Sequence, residues 1–228
     1  MFCRFFIPAL IYGLLFSAPV SAYGASLDCT ESSVTFEWDE TGAVECACPA
    51  AKSSIAFLES LGLETRQPIN VKLVKQVPSS LDSNVLGIYA PVNANEIVLL
   101  NYKRAAEASQ LYKPQVNIDM SENLWCGYVA HELAHAISGQ YHSSRATNRL
   151  AMEYISAVTQ LAIFSTETRK MFLKKHGGVD AYQSIAEMSE LYFLLDPNKF
   201  AVKCYLHFIS LDNPRAFVRR LFEEKDGF

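Results

Sequence analysis

Glycine and proline are sparse, 10 and 9 in 228 residues, and no residue type forms a repeat or a low-complexity tract. That excludes solenoid and linker-rich architectures. Basic residues are in no excess: 20 Lys and Arg stand against 24 Asp and Glu, for a formal net charge of −4. With no basic stripe carrying interleaved aromatics, nucleic acid is not expected as a partner. Beyond Phe16 no apolar run approaches the roughly 20 residues that cross a bilayer, so no membrane span is expected in the mature chain. Disorder is excluded as well, because 50% of the residues are hydrophobic and the charges are mixed along the chain.

The one long apolar stretch stands at the start. Arg4 supplies a positive n-region, Phe5 to Phe16 an apolar core broken by Pro8, and Val20-Ser21-Ala22 the small residues of a cleavage site. Residues 1–22 therefore read as a signal peptide, with a second possible cut after Ala25. What remains, residues 23–228, has the length of a single domain. The protein is expected to be exported, periplasmic or secreted.

Export makes disulfides the default state of the remaining cysteines, Cys29, Cys46, Cys48, Cys126 and Cys204. Their number is odd, so at least one thiol is left over. Val34, Phe36 and Trp38 alternate before a turn at Asp39-Glu40-Thr41-Gly42, which reads as a hairpin. A bridge from Cys29 to Cys46 or Cys48 would staple it, and Cys126 could pair with Cys204.

The chemistry concentrates in Tyr128-Val129-Ala130-His131-Glu132-Leu133-Ala134-His135-Ala136-Ile137. On a helix, residues four apart share a face, with about 5–6 Å between Cβ atoms. His131 and His135 can thus reach one metal ion. Glu132 sits one step round, able to touch a metal-bound water without ligating. Zinc lowers the pKa of such a water to about 7, and a carboxylate beside it can take the proton and deliver it to a leaving amine. These are the parts of a metallopeptidase. The remaining positions from Val129 to Ile137 are uncharged, as suits a buried helix.

A catalytic zinc needs a third protein ligand and an open position. His142 is one candidate, but Gly139 and His142 each arrive one residue late for the metzincin pattern His-x-x-Gly-x-x-His. Glu153 is the other, in the Gly- and Pro-free run Arg149 to Ala157, with 17 residues between it and His135. This layout resembles the gluzincin metallopeptidases, in which a Glu on the helix after the active-site helix completes the zinc site. The resemblance implies His131, His135 and Glu153 as zinc ligands and Glu132 as general base. It departs from the family around Glu153: Met152 stands where an Asn is usual and Ala157 where an Asp is usual, which leaves the acceptor for a ligand imidazole unidentified.

Along the chain, helices are expected from Pro49 to Leu61 with Gly62 as stop, from Lys103 to Tyr112, and from about Glu122 to Ser138, capped by Asp119 or Ser121 and ended by Gly139. Ile69 to Val77 alternates as a strand, followed by a loop from Pro78 to Asn84. Leu86 to Ala90 and Glu96 to Leu100 form a hairpin. The C-terminal half reads as helical: Thr147 to Leu173, Asp180 to Leu195, Lys199 to Ile209 and Pro214 to Glu224. The fold class is α+β, a zincin-like arrangement of two lobes, with residues 23–140 forming the α/β lobe and 141–228 the helical one.

If the resemblance holds, Gly87, Ile88, Tyr89 and Ala90 form a sheet edge that binds substrate as an added strand. His207 is the first candidate for an oxyanion donor from the C-terminal half, ahead of Tyr205, Tyr192 and His176. The expected activity is zinc-dependent hydrolysis of a peptide or protein substrate. The alternative is an exported zinc-binding protein without hydrolytic activity, acting as a binding or assembly module.

Overall fold

The computed structural model describes residues 25–29, 32–38, 45–77, 87–90, 95–111, 119–141 and 149–223. The expected signal peptide at 1–22, the turn at 39–42, the loop at 78–84 and His142 lie outside these residues.

The class is α+β. Five strands, β1 (Ala25–Asp28), β2 (Val34–Trp38), β3 (Ile69–Val74), β4 (Gly87–Ala90) and β5 (Glu96–Leu100), form one mixed sheet in the order β1-β2-β3-β5-β4. Alternation builds its core face. Phe36 stands opposite Val71 and Val71 opposite Ile97, while Leu73 stands opposite Leu99, and all of these side chains are buried. The other face is mixed: Asn70 donates to Glu37 at 3.1 Å and Lys72 pairs with Glu96 at 2.6 Å, beside Val74 and Val98. A sheet so divided is covered on one side.

The stretch containing Val34, Phe36 and Trp38 is a strand, but its antiparallel partner is β1, which precedes it. After β2 the chain crosses over through α1 (Ala47–Ser60) and returns as β3, parallel to β2. The alternating pattern is the same in either arrangement, and only the helix after it decides the topology. Gly62 ends this segment with φ +89°, a conformation that favours glycine.

Cys29 bonds Cys48, and Cys46 bonds Cys126, with Cα separations of 5.4 and 6.1 Å, both ordinary for disulfides. The expected Cys126–Cys204 bridge is therefore incorrect. Cys204 is a buried free thiol, and its burial pushes its pKa up. The two bonds fasten the end of β1 to α1, and α1 to the central helix. They are compatible with export.

That helix, α3 (Glu122–Gly139), follows α2 (Tyr102–Leu111). Of the two candidate caps, Ser121 is the one used: its side chain accepts from the Leu124 N–H at 3.2 Å, with Glu122 in the first turn. Trp125, buried, donates its indole N–H to the Leu100 carbonyl at 3.0 Å and so ties the helix to β5. Gly139 is still helical and does not provide the expected left-handed stop. Gln140 is the C-cap, its backbone N–H turning to the Ile137 and Ser138 carbonyls, and its side chain ties the helix end to the α1–β3 connection and to Asn95. Its Oε1 accepts from the Arg66 and Gln67 N–H groups at 2.7 and 3.1 Å, and its Nε2 donates to Asn95 Oδ1 at 3.1 Å.

The single helix expected over Thr147 to Leu173 is two: α4 (Arg149–Ile163) and α5 (Thr166–His176). Ser165 caps α5 by accepting from the Thr168 N–H at 3.1 Å. Phe164, at the break, is buried against Gly127 of α3, where an added Cβ would overlap its ring. The expected helix over Asp180 to Leu195 is also mostly absent. A 3-10 turn at Ile185–Glu187 leads to the short α6 (Glu190–Leu195). Then come α7 (Pro197–Ile209), capped by Asp196, and α8 (Pro214–Glu223). No described helix is long and apolar enough to cross a membrane.

Candidate metal centre

Helix α3 is buried on nearly every side, as its uncharged composition requires. From Tyr128 to Ser138 only Tyr128, His131, Glu132 and His135 escape full burial. Their spacing of three, four and seven residues makes one stripe along the helix. The only accessible line on this part of the helix thus carries both imidazoles and the carboxylate between them.

Helix α4 packs along α3 and brings Glu153 to that stripe. His131 Nε2 and His135 Nε2 are 3.1 Å apart, and Glu153 Oε2 is 3.6 Å from the first and 3.5 Å from the second. Three atoms bound to one tetrahedral ion at about 2.0–2.1 Å stand about 3.3–3.4 Å apart. The observed triangle fits that size, and it can hold a metal ion. Its chemistry fits too, because three lone-pair donors turned to one point repel one another unless a proton or a cation lies between them.

The orientation of His131 is fixed from behind. Its Nδ1 lies 3.1 Å from Oε1 of Gln160, a buried residue two turns beyond Glu153 on α4. An amide oxygen only accepts, so the Nδ1–H donates to it, and in the neutral ring this leaves the Nε2 lone pair toward the triangle. Gln160 thereby takes the role left open by Ala157. The sequence did contain a signal for it, since seven residues after Glu153 is the same face of an uninterrupted helix.

Electrostatics reflects the same convergence. Burial raises the Glu153 pKa, but hydrogen bonds with His131 and His135 outweigh it and hold the carboxyl well below the usual range. Burial also lowers the pKa of His131, yet Glu153, Glu132 and Gln160 together leave it raised. Tyr128, on the same stripe and one turn before His131, is pushed up to about 12 by burial and stays a neutral phenol.

The other candidates separate. His207 does not join the cluster. It is buried on α7, its Nδ1 is 2.8 Å from the Tyr154 hydroxyl, and its ring packs edge-on against Tyr154 and Phe217. Burial lowers its pKa. Its ring joins α7 and α8 to α4. His176 is likewise buried, against Phe172. Gly87 to Ala90 form β4, the last strand of the sheet, antiparallel to β5 and adjoining α3.

No curated protein and no solved structure matches the chain. A family model matches residues 34–226, from β2 past the end of α8, and so spans His131, Glu132, His135, Glu153 and Gln160 together. The chain belongs to that family, described as a family of unknown function (DUF6639).

Proposed function

We propose that this protein is an exported, zinc-dependent peptide hydrolase of the gluzincin type with a zincin-like fold. The observation that carries the reading is the triangle of His131 Nε2, His135 Nε2 and Glu153 Oε2, with edges of 3.1, 3.5 and 3.6 Å, opening on the one accessible stripe of a buried helix. His131, His135 and Glu153 hold the ion. Bound there, zinc supplies a Lewis acid for the peptide carbonyl and makes water a nucleophile at neutral pH. Glu132, next to a ligand and on the same stripe, removes a proton from the attacking water and passes it to the leaving amine. Gln160 keeps the His131 ring in its ligating tautomer. The outer edge of β4, which pairs with no further strand among the described residues, offers backbone N–H and C=O groups to an extended peptide.

Two measurements test this on the mature chain. Metal analysis after zinc loading and desalting should give one zinc per chain, lost in Glu153→Ala. Cleavage of a mixed peptide pool should fall by about 10²–10⁴ in Glu132→Gln, with the zinc retained. Equal cleavage by wild type and Glu132→Gln removes the mechanism. Zinc retention with no cleavage by either leaves the non-hydrolytic binding module as the function.

A further inference from the structure

A cavity of about 620 Å³ opens between the α1–β3 connection, Tyr141 just past α3 and the face of α8 from Asn213 to Phe222, and its size is that of a small-molecule site. Leu61, Val218 and Phe222 give it an apolar wall. Arg66, Arg215 and Arg219 also line it, and no Asp or Glu does among the described residues. In a chain of net charge −4 this is a local reversal of sign.

Two of these arginines are oriented by their surroundings. The Arg66 guanidinium carbon sits 3.6 Å from the centroid of the Tyr141 ring, and its Nη1 donates to the Gln140 carbonyl at 3.3 Å. Arg215 runs across Gly62, where an added Cβ would stand 3.3 Å from its Nε. The glycine that the turn needs for its positive φ also leaves room for that side chain. Helix α8 begins at the cavity, with Asn213 Oδ1 accepting from the Ala216 N–H at 3.0 Å, so the positive end of its dipole adds to the arginines.

We propose that this cavity binds a small oxyanion, a carboxylate or phosphate carried on an apolar body. A guanidinium presents a planar fork matched to either group. Arg66 and Arg215 hold the anion and the apolar wall receives the body. The cavity shares no lining residue with the His131–His135–Glu153 cluster, and the proposal stands whether or not peptide hydrolysis is the activity.

Isothermal titration calorimetry on the mature chain at constant ionic strength, with phenyl phosphate, benzoate and benzyl alcohol as probes, tests it. At least one anion should bind, about tenfold or more tighter than benzyl alcohol, and the preferred anion tells phosphate from carboxylate. Arg66→Met and Arg215→Met should each weaken that anion about tenfold, the loss of a charge-assisted contact. Arg66 also bonds α3, so Arg215→Met, at an exposed position of α8, carries the test if Arg66→Met does not fold. Binding of neither anion, equal binding of benzyl alcohol, or an Arg215→Met protein with wild-type affinity overturns the proposal.

Discussion

Replacing Gln160 by Leu isolates the part of the proposed metal site that no ligand motif contains. The side chain is buried, and its amide oxygen takes the Nδ1 proton of His131 at 3.1 Å. With metal on Nε2, that proton has nowhere else to go, and a leucine leaves a buried donor unpaired at a cost of about 1–3 kcal/mol. Without metal the imidazole escapes most of the cost, because the proton can move to Nε2, where Glu153 Oε2 lies 3.6 Å away. The penalty therefore falls on the zinc-bound state and appears as affinity, weaker by about 5- to 150-fold, in line with what imidazole acceptors contribute elsewhere. Gln160→Glu retains an acceptor and should keep the affinity. Competition against a chromophoric chelator at pH 7.5 measures both variants, with thermal unfolding of the metal-free proteins as the control for folding. A Gln160→Leu protein that binds zinc as tightly as wild type would refute the assignment of Gln160 as the acceptor.

The convergence of His131, His135 and Glu153 was largely legible because its parts follow local rules. His131 and His135 share a face by helical spacing, Ser121 and Glu122 mark the start of the helix, and Glu153 lies in a run with no helix breaker. Gln160 obeys the same periodicity but lies one turn beyond Ala157, the position at which the gluzincin pattern carries an acceptor. His207 is the opposite case: a histidine late in the chain has the right chemistry for an oxyanion donor, but its bond to Tyr154 depends on the packing of α7 on α4 and leaves no mark in the local sequence.

Where the fold departed from expectation, an interaction distant in sequence took part. The break after Ile163 has a local mark in Ser165, which caps the next helix with Glu167 in its first turn, and a distant one in Phe164, which packs on Gly127, 37 positions earlier. The strand Val34–Trp38 was legible from alternation, but its pairing with β1 and β3 was not, because alternation specifies a face and never a neighbour. The disulfides were undetermined for a similar reason: connectivity depends on which segments meet. Cys46 finds Cys126 only because α1 packs on α3.

Gly127→Ala should lower the melting temperature of the mature chain despite alanine's better helix propensity, which is worth about 1 kcal/mol. Overlap with the Phe164 ring costs about 1–3 kcal/mol, and in a Phe164→Ala background the same change should become neutral or stabilising. His207→Ala should cost about 2–4 kcal/mol of stability by calorimetry, as a truncation in a packed core does, and leave zinc stoichiometry unchanged; loss of zinc in a folded His207→Ala protein contradicts the placement of His207 outside the site. The pH dependence of the metal-free protein follows from two opposed shifts. Glu153 is held below its ordinary 4.5, so its contribution is present above that value and is lost as pH falls through the depressed one. His131 is raised above its ordinary 6.5, so its contribution is complete below 6.5 and is lost as pH rises through the raised value. Both act together between 4.5 and 6.5, where the melting temperature of the metal-free chain should be highest. Zinc reverses this dependence, because it competes with protons for the same lone pairs. Scanning calorimetry with zinc and with chelator should therefore find a zinc-induced rise in melting temperature that grows from pH 6 to pH 8, whereas a rise independent of pH would mean that the ion is not bound through His131 and His135.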